Sequence, residues 1–198
     1  KGDYEKLKQK SIDFGGGMER TIVTLNNLED NYLTDCWQPI IKEVEKISGK
    51  TYNSSNDITK AIRIISDHIK AATMIIADGI SPSNTEQGYV VRRLIRRALR
   101  YLRKLDVDLL EIDATVEIAK KVIETYEDYS HLKKDKERIF KELKAEEDKF
   151  QKTLDKGLRE FQKMIDKDQQ ITAVEAFLLY QSYGFPIEIG RAHVWTPV

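Results

Sequence analysis

One segment of the chain, residues 88–104, predicts a helix whose two faces have opposite chemistry. Apolar residues recur at helical spacing on one face: Val91, Leu94, Ile95, Ala98 and Leu102. Basic residues fill the other face: Arg92, Arg93, Arg96, Arg97, Arg100, Arg103 and Lys104. A solvated helix usually mixes its charges, because like charges four residues apart repel by a few tenths of a kcal/mol. The pattern favours a core-packed helix that binds a nucleic-acid backbone, the alternative being a basic face that is solvated or ion-paired.

The chain as a whole is neutral, which shows how local this positive charge is. Its 198 residues include 33 basic and 33 acidic ones, so general attraction to nucleic acid is not expected. Residues 106–175 carry an acidic excess. The apolar content of 40% is enough for a core, and the length allows one domain or two small ones.

Composition also bears on the compartment in which the chain works. No stretch approaches the ~20 consecutive apolar residues of a membrane span, so we expect no contact with a membrane. Cys36 is the single cysteine, which excludes an internal disulfide and fits a cytoplasmic location. No cluster of Cys and His residues has metal-ligand spacing, so no metal site is predicted. The chain lacks a starting methionine, and we expect that it begins within a longer protein.

Helical patterns on both sides of the basic segment predict a mainly α fold. The clearest stripe repeats at spacings of four and three: Ile58, Ile62, Ile65, Ile69, Ala72 and Ile76, with Asp57 as the expected N-cap. Further helices are predicted at about 18–28, 35–47, 114–126, 133–165 and 173–180. Residues 7–14 form a possible strand, and the polar loop at 48–57 is the predicted domain boundary.

A second segment that could carry chemistry is the run Gly15-Gly16-Gly17 between the possible strand and the first helix. Three glycines allow the backbone to approach a flat or phosphorylated ligand closely, and Arg20 can offer a fork of donors to a phosphate. The alternative is a flexible turn followed by an exposed arginine. The spacing of the glycines fits neither a dinucleotide fingerprint nor a P-loop.

Taken in order, several segments resemble the alanyl-tRNA synthetases, a family of class II aminoacyl-tRNA ligases. Asp13-Phe14-Gly15-Gly16-Gly17-Met18-Glu19-Arg20 is similar to the family's motif 3, Asp-Thr-Gly-x-Gly-Leu-Glu-Arg. The similarity continues through residues 31–35, 65–69, 76–84, 88–98 and 179–186. It implies a strand–turn–helix remnant of a class II antiparallel catalytic domain in residues 1–55 and a helical tRNA-recognition domain in 56–187. Residues 188–198 are interpreted as a non-native tail.

The resemblance implies roles for the residues around the glycines. Arg20 matches the catalytic arginine that holds the γ-phosphate of ATP. Gly15 and Gly17 match the glycines that line the adenosine site, and Asp13 matches the residue that binds the ammonium group of alanine. Phe14 departs from the family, which has a small threonine at this place.

Further roles concern the tRNA acceptor stem. Asn84 matches the asparagine that reads a G·U wobble pair from the minor groove, where the guanine 2-amino group lacks a base partner. Gln181 stands where the family has an aspartate that accepts from this amino group. The resemblance places the basic helix near the same stem, which makes four arginines candidate tRNA-binding residues: Arg92, Arg93, Arg96 and Arg97.

The intact enzyme implied by the resemblance activates alanine with ATP and Mg²⁺ and transfers it to the 3′ end of tRNA(Ala). Its partners are the tRNA(Ala) acceptor stem, ATP, alanine and the catalytic and downstream domains of its own chain. The segment alone is expected to be inactive, because the motif 2 arginine is not in it. The alternative interpretation is a non-catalytic RNA-binding helical module with a relic of motif 3.

Overall fold

The computed structural model describes residues 5, 8–9, 11–12, 14–168 and 171–183, and this part of the chain is mainly helical. Its helices are α1 (Met18–Leu25), α2 (Gln38–Ser48), α3 (Asn56–Ala77), α4 (Glu86–Lys104), α5 (Ala114–Thr125), α6 (Ser130–Lys134), α7 (Lys136–Asp168) and α8 (Ala173–Tyr183), with a short 3-10 helix at Asn31–Leu33. The described residues of the possible strand at 7–14 are not in a strand.

Helices α3 and α4 form the centre of the core. Most of the isoleucine stripe of α3 and of the apolar face of α4 is buried, as the spacing predicts, and Leu99 is buried with them: Ile62, Ile65, Ile69, Ile76, Val91, Ile95, Leu99 and Leu102. Ile58 and Leu94, which the same stripes include, are only partly buried. Helix α7 packs on α3, α4 and α5, and α2 packs on α3 and α5. Because α2 precedes the predicted boundary at residue 55 yet shares this core, the parts on the two sides of the boundary are packed together.

Some predicted helix ends differ from the observed ones. The N-cap of α3 is Ser55, whose hydroxyl accepts from the amide of Ile58 at 3.2 Å, and not Asp57, which lies inside the first turn. A capping side chain must precede the first helical residue, and serine there is among the preferred caps. The helix predicted at 133–165 begins slightly later, as α7 at Lys136, because Asp135 separates it from the short helix α6, which ends at Lys134.

A bilayer-spanning segment is not found in the described part of the chain, where none of the helices combines the required length with the required apolar character.

The interface of α5 and α7 contains a fully buried carboxyl group. Glu147 Oε2 accepts from the amide of Thr115 at 3.3 Å and from its hydroxyl at 2.5 Å. Glu147 Oε1 has no hydrogen-bond partner among the described residues. Burial raises the pKa of Glu147 above its ordinary value, although the two bonds from Thr115 and the charge of Lys144 oppose this shift.

The raised pKa predicts how the free energy of unfolding depends on pH. The folded chain binds a proton on Glu147 more readily than the unfolded chain does. Protonation of Glu147 therefore adds to the free energy of unfolding, and this stabilisation grows as the pH falls through the raised pKa toward the ordinary value. We expect that Glu147→Gln removes this gain, whose slope is at most ~1.4 kcal/mol per pH unit. Urea unfolding of both proteins between about pH 7.5 and about pH 5 measures the difference. Identical pH dependences would contradict the assignment.

Candidate nucleic-acid interface

The loop between α3 and α4 folds back on the first turn of α4, where it contacts Gly88. The amide of Ser83 donates to the carbonyl of Gly88 at 3.0 Å. A Cβ atom built on Gly88 would lie 2.5 Å from the carbonyl oxygen of Ser81, so a larger residue here would push the loop away. Asn84 therefore stands, exposed, at the N-terminal end of α4, and the structure brings it together with the basic helix as the sequence predicts.

Helix α7 fixes this loop from the other side. The hydroxyl of Ser81 donates to Glu142 Oε1 at 3.0 Å. Arg138 Nη2 donates to the carbonyl of Ala77, at the end of α3, at 3.1 Å. Helix α7 thus holds the loop that carries Asn84 at two points, where the chain leaves α3 at Ala77 and at Ser81.

The structure divides the four candidate arginines into two pairs. Arg92 and Arg96 both turn to Glu146 on α7, their Nε atoms lying 3.2 Å and 2.6 Å from Glu146 Oε1. Glu146 is only 2% exposed. The guanidinium of Arg96 also lies 5.8 Å from the centre of the Phe150 ring. This pair therefore holds α4 on α7. One N–H donor of each guanidinium is already used within the fold, by the hydrogen bond to Glu146.

The other pair faces outward. Arg93 is exposed and Arg97 is partly exposed, and neither has an ion pair or a side-chain hydrogen bond among the described residues. They are four residues apart, so their side chains lie on one face of α4 about 6 Å apart along the helix axis. Unpaired positive charge on a helix face beside an exposed amide is typical of a surface that binds a phosphate backbone.

The glycine segment and α1 form a second exposed region. Gly15, Gly17 and Arg20 are all exposed, and a Cβ on Gly15 would meet no atom within 4 Å. No residue of α1 is buried. Asp13 lies outside the described residues, as does the side chain of Gln181 in α8.

A partly buried cation links α1 to the helical core. Lys70 Nζ on α3 lies 2.9 Å from Glu19 Oε1, and it also lies 4.0 Å from the centre of the Trp37 ring and 4.8 Å from that of Tyr126. The hydrogen bond from Lys70 lowers the pKa of Glu19. Because Glu19 directly precedes Arg20, this ion pair fixes the turn of α1 on which Arg20 stands.

Sequence reasoning missed the residues that position the site. Glu146 and Lys70 make contacts across 50 or more residues of sequence, and periodicity within one helix does not predict such pairs. The signal that could have indicated Glu146 is the acidic excess of residues 106–175, which supports the alternative of an ion-paired basic face. The ion-paired alternative applies to Arg92 and Arg96. Nucleic-acid binding by Arg93 and Arg97 stays a prediction.

A helical body that carries an exposed amide and a row of unpaired arginines defines a candidate RNA-binding module, and comparison with known proteins identifies its family. The chain belongs to the class II tRNA synthetases: the family model described as tRNA synthetases class II (A) matches residues 1–194.

Relatives with established names are alanine–tRNA ligases, which confirms the resemblance stated above. The chain is 44% identical to the alanine–tRNA ligase of Borrelia hermsii over 192 residues, which cover 95% of the chain and 32% of that protein. It is 45% identical to the enzyme of Borreliella afzelii over the same length. It is 39% identical to that of Staphylococcus saprophyticus over 190 residues, which cover 94% of the chain and 22% of that protein. The chain thus spans a third or less of the curated relatives it matches.

Proposed function

We propose that this chain is the part of an alanine–tRNA ligase that recognises the tRNA(Ala) acceptor stem and supplies contacts to ATP and alanine. The observation that carries the proposal is the pair of unpaired arginines, Arg93 and Arg97, beside Asn84 in a chain whose named relatives are alanine–tRNA ligases. In this proposal residues 1–55 belong to the catalytic domain and 56–187 to the tRNA-recognition domain. The tail at 188–198 lies outside the described residues.

Acceptor-stem recognition follows from the chemistry of the loop and α4. The minor groove of an RNA helix is wide and shallow, so side chains reach base edges there, and a G·U pair presents a guanine amino group without a base partner. The side-chain carbonyl of Asn84 can accept from that group, and Gln181 is the proposed second acceptor. Arg93 and Arg97 bind phosphates of the same stem. Arg92 and Arg96 keep α4 in position through Glu146.

The proposed contacts to ATP and alanine lie around α1. Arg20 holds the γ-phosphate, Gly15 and Gly17 line the adenosine, and Asp13 binds the ammonium group of alanine. The exposure of the first three residues leaves them accessible to a nucleotide. The family uses ATP with Mg²⁺. Within the described ranges no group of three or more His, Cys, Asp or Glu side chains could hold a metal ion, so we assign Mg²⁺ no residue of this chain.

Alanine-dependent ATP–pyrophosphate exchange by the protein that the complete gene encodes tests the proposal. We expect Arg20→Ala to raise the KM for ATP about tenfold, because a charged hydrogen bond to phosphate contributes roughly 1.5–3 kcal/mol. Thermal stability should stay unchanged, since Arg20 is exposed. Arg159→Ala, at another exposed arginine, is the control. Exchange that is unaffected by Arg20→Ala would contradict the assigned role. No exchange at all, together with RNA binding, would instead support the non-catalytic alternative.

A further inference from the structure

The exposed face of α4 carries an aromatic side chain to which the proposed RNA contacts give no role. Tyr89 lies four residues before Arg93 and eight before Arg97, so the three side chains follow one another on one face of the helix. The side chain of Tyr89 is 51% exposed, and that of the neighbouring Val90 is 52% exposed. Among the described residues the phenol makes no hydrogen bond and the ring has no aromatic or cationic partner.

The backbone around Tyr89 is fixed next to the loop that carries Asn84. The amide of Tyr89 donates to the carbonyl of Thr85 at 3.0 Å, and the adjacent Gly88 accepts from Ser83. Tyr89 therefore stands about one helical turn from Asn84, between the loop and the two unpaired arginines.

We propose that Tyr89 is an RNA-binding residue whose ring packs against a ribose of the acceptor stem, between the base pair read by Asn84 and the phosphates bound by Arg93 and Arg97. The inference rests on the proposed function and adds a contact to it. In an RNA duplex the shallow minor groove displays the riboses, and their C–H faces offer apolar surface to an aromatic ring. The two cations that follow Tyr89 along the helix favour this occupant, because a partner that covers Tyr89 must also bring negative charge to Arg93 and Arg97.

Binding of an RNA hairpin that copies the tRNA(Ala) acceptor stem tests the inference. Fluorescence anisotropy of the whole chain gives Kd across a series of salt concentrations for the wild type, Tyr89→Ala and Tyr89→Phe. Tyr129→Ala is a matched control, since Tyr129 is 52% exposed and lies before α6. If Tyr89→Ala melts at a lower temperature than wild type, Tyr89→Gln replaces it, because glutamine is also a good helix former and its longer side chain retains more packing on the helix surface.

We expect Tyr89→Ala to raise Kd about tenfold at every salt concentration, with an unchanged salt slope, because a neutral ring displaces no counterions. Tyr89→Phe and Tyr129→Ala should stay within about twofold of wild type. A Kd of Tyr89→Ala within about twofold of wild type would overturn the inference, and so would an equal loss in Tyr89→Phe. If the wild type fails to bind the hairpin, or binds it with a salt slope that does not depend on Arg93 and Arg97, the proposed function fails instead.

Discussion

Replacing Arg93 and Arg97 together by alanine is expected to weaken binding of the acceptor-stem hairpin about 30-fold at moderate salt. The two arginines are the members of the predicted set without a partner in the described part of the fold, so their charge is available to phosphates. Each lost phosphate contact removes roughly one unit from the slope of log K against log salt, so the double variant should lose nearly two units. Each contact corresponds to about 1 kcal/mol of binding free energy.

The control for this experiment is Lys156→Ala with Arg159→Ala on α7. Both side chains are exposed, and the double variant changes the net charge by the same amount. It should bind the hairpin nearly as tightly as wild type, because the two residues lie about 20 Å or more along α7 from Glu142, which contacts the loop of Asn84. Equal losses of affinity and slope in the two double variants would mean that the chain responds to net charge alone, which contradicts a localised contact surface.

Replacing Glu146 by glutamine should lower the free energy of unfolding by about 3 kcal/mol. The carboxylate is almost fully buried and is the shared partner of Arg92 and Arg96, so its loss leaves two guanidinium groups without a counter-charge. Breaking a buried ion pair from one side costs about 3–5 kcal/mol. The low end of this range applies because the side chains of Arg92 and Arg96 are 28% and 20% exposed, so water can solvate part of each charge.

Urea unfolding followed by circular dichroism measures this change. Glu137→Gln, an exposed carboxylate in the first turn of the same helix, is the control and should cost less than about 1 kcal/mol. Changing Glu146, Arg92 and Arg96 all to methionine should recover much of the loss, because apolar groups of similar size can replace a buried ionic cluster. An unfolding free energy of Glu146→Gln within about 0.5 kcal/mol of wild type would contradict a structural role for this cluster.

Much of the fold could be predicted from sequence because the buried stripes are regular. The spacing of Ile62, Ile65 and Ile69 admits a single helical face, and the same residues form the core. Helix ends were less predictable, since they depend on local hydrogen bonds. Ser55 and Asp57 are both good capping residues, and only the backbone geometry shows that Ser55 is the one that accepts. The break at Asp135 has no proline or glycine to indicate it.

The sequence predicts where the candidate site lies, but not which of its arginines pair within the fold and which face outward. The turn with Asn84 and the row of arginines are adjacent in sequence, so local pattern places them together. Which arginines face outward depends on Glu146, which is 50 residues from Arg96 and 54 from Arg92, and therefore on how α7 packs on α4. The space constraint at Gly88 likewise exists only once the loop has folded back on the helix.

The most direct test of the central claim compares two acceptor-stem hairpins that differ only in having a G·U or a G·C pair at the recognised position. The wild-type chain should bind the G·U hairpin about fivefold more tightly, which corresponds to about 1 kcal/mol, the scale of one hydrogen bond. Asn84→Ala should lose most of this preference, with any remainder due to Gln181, and should keep the salt slope of wild type. Equal binding of the two hairpins by wild type, or an undiminished preference in Asn84→Ala, would contradict acceptor-stem recognition by this loop.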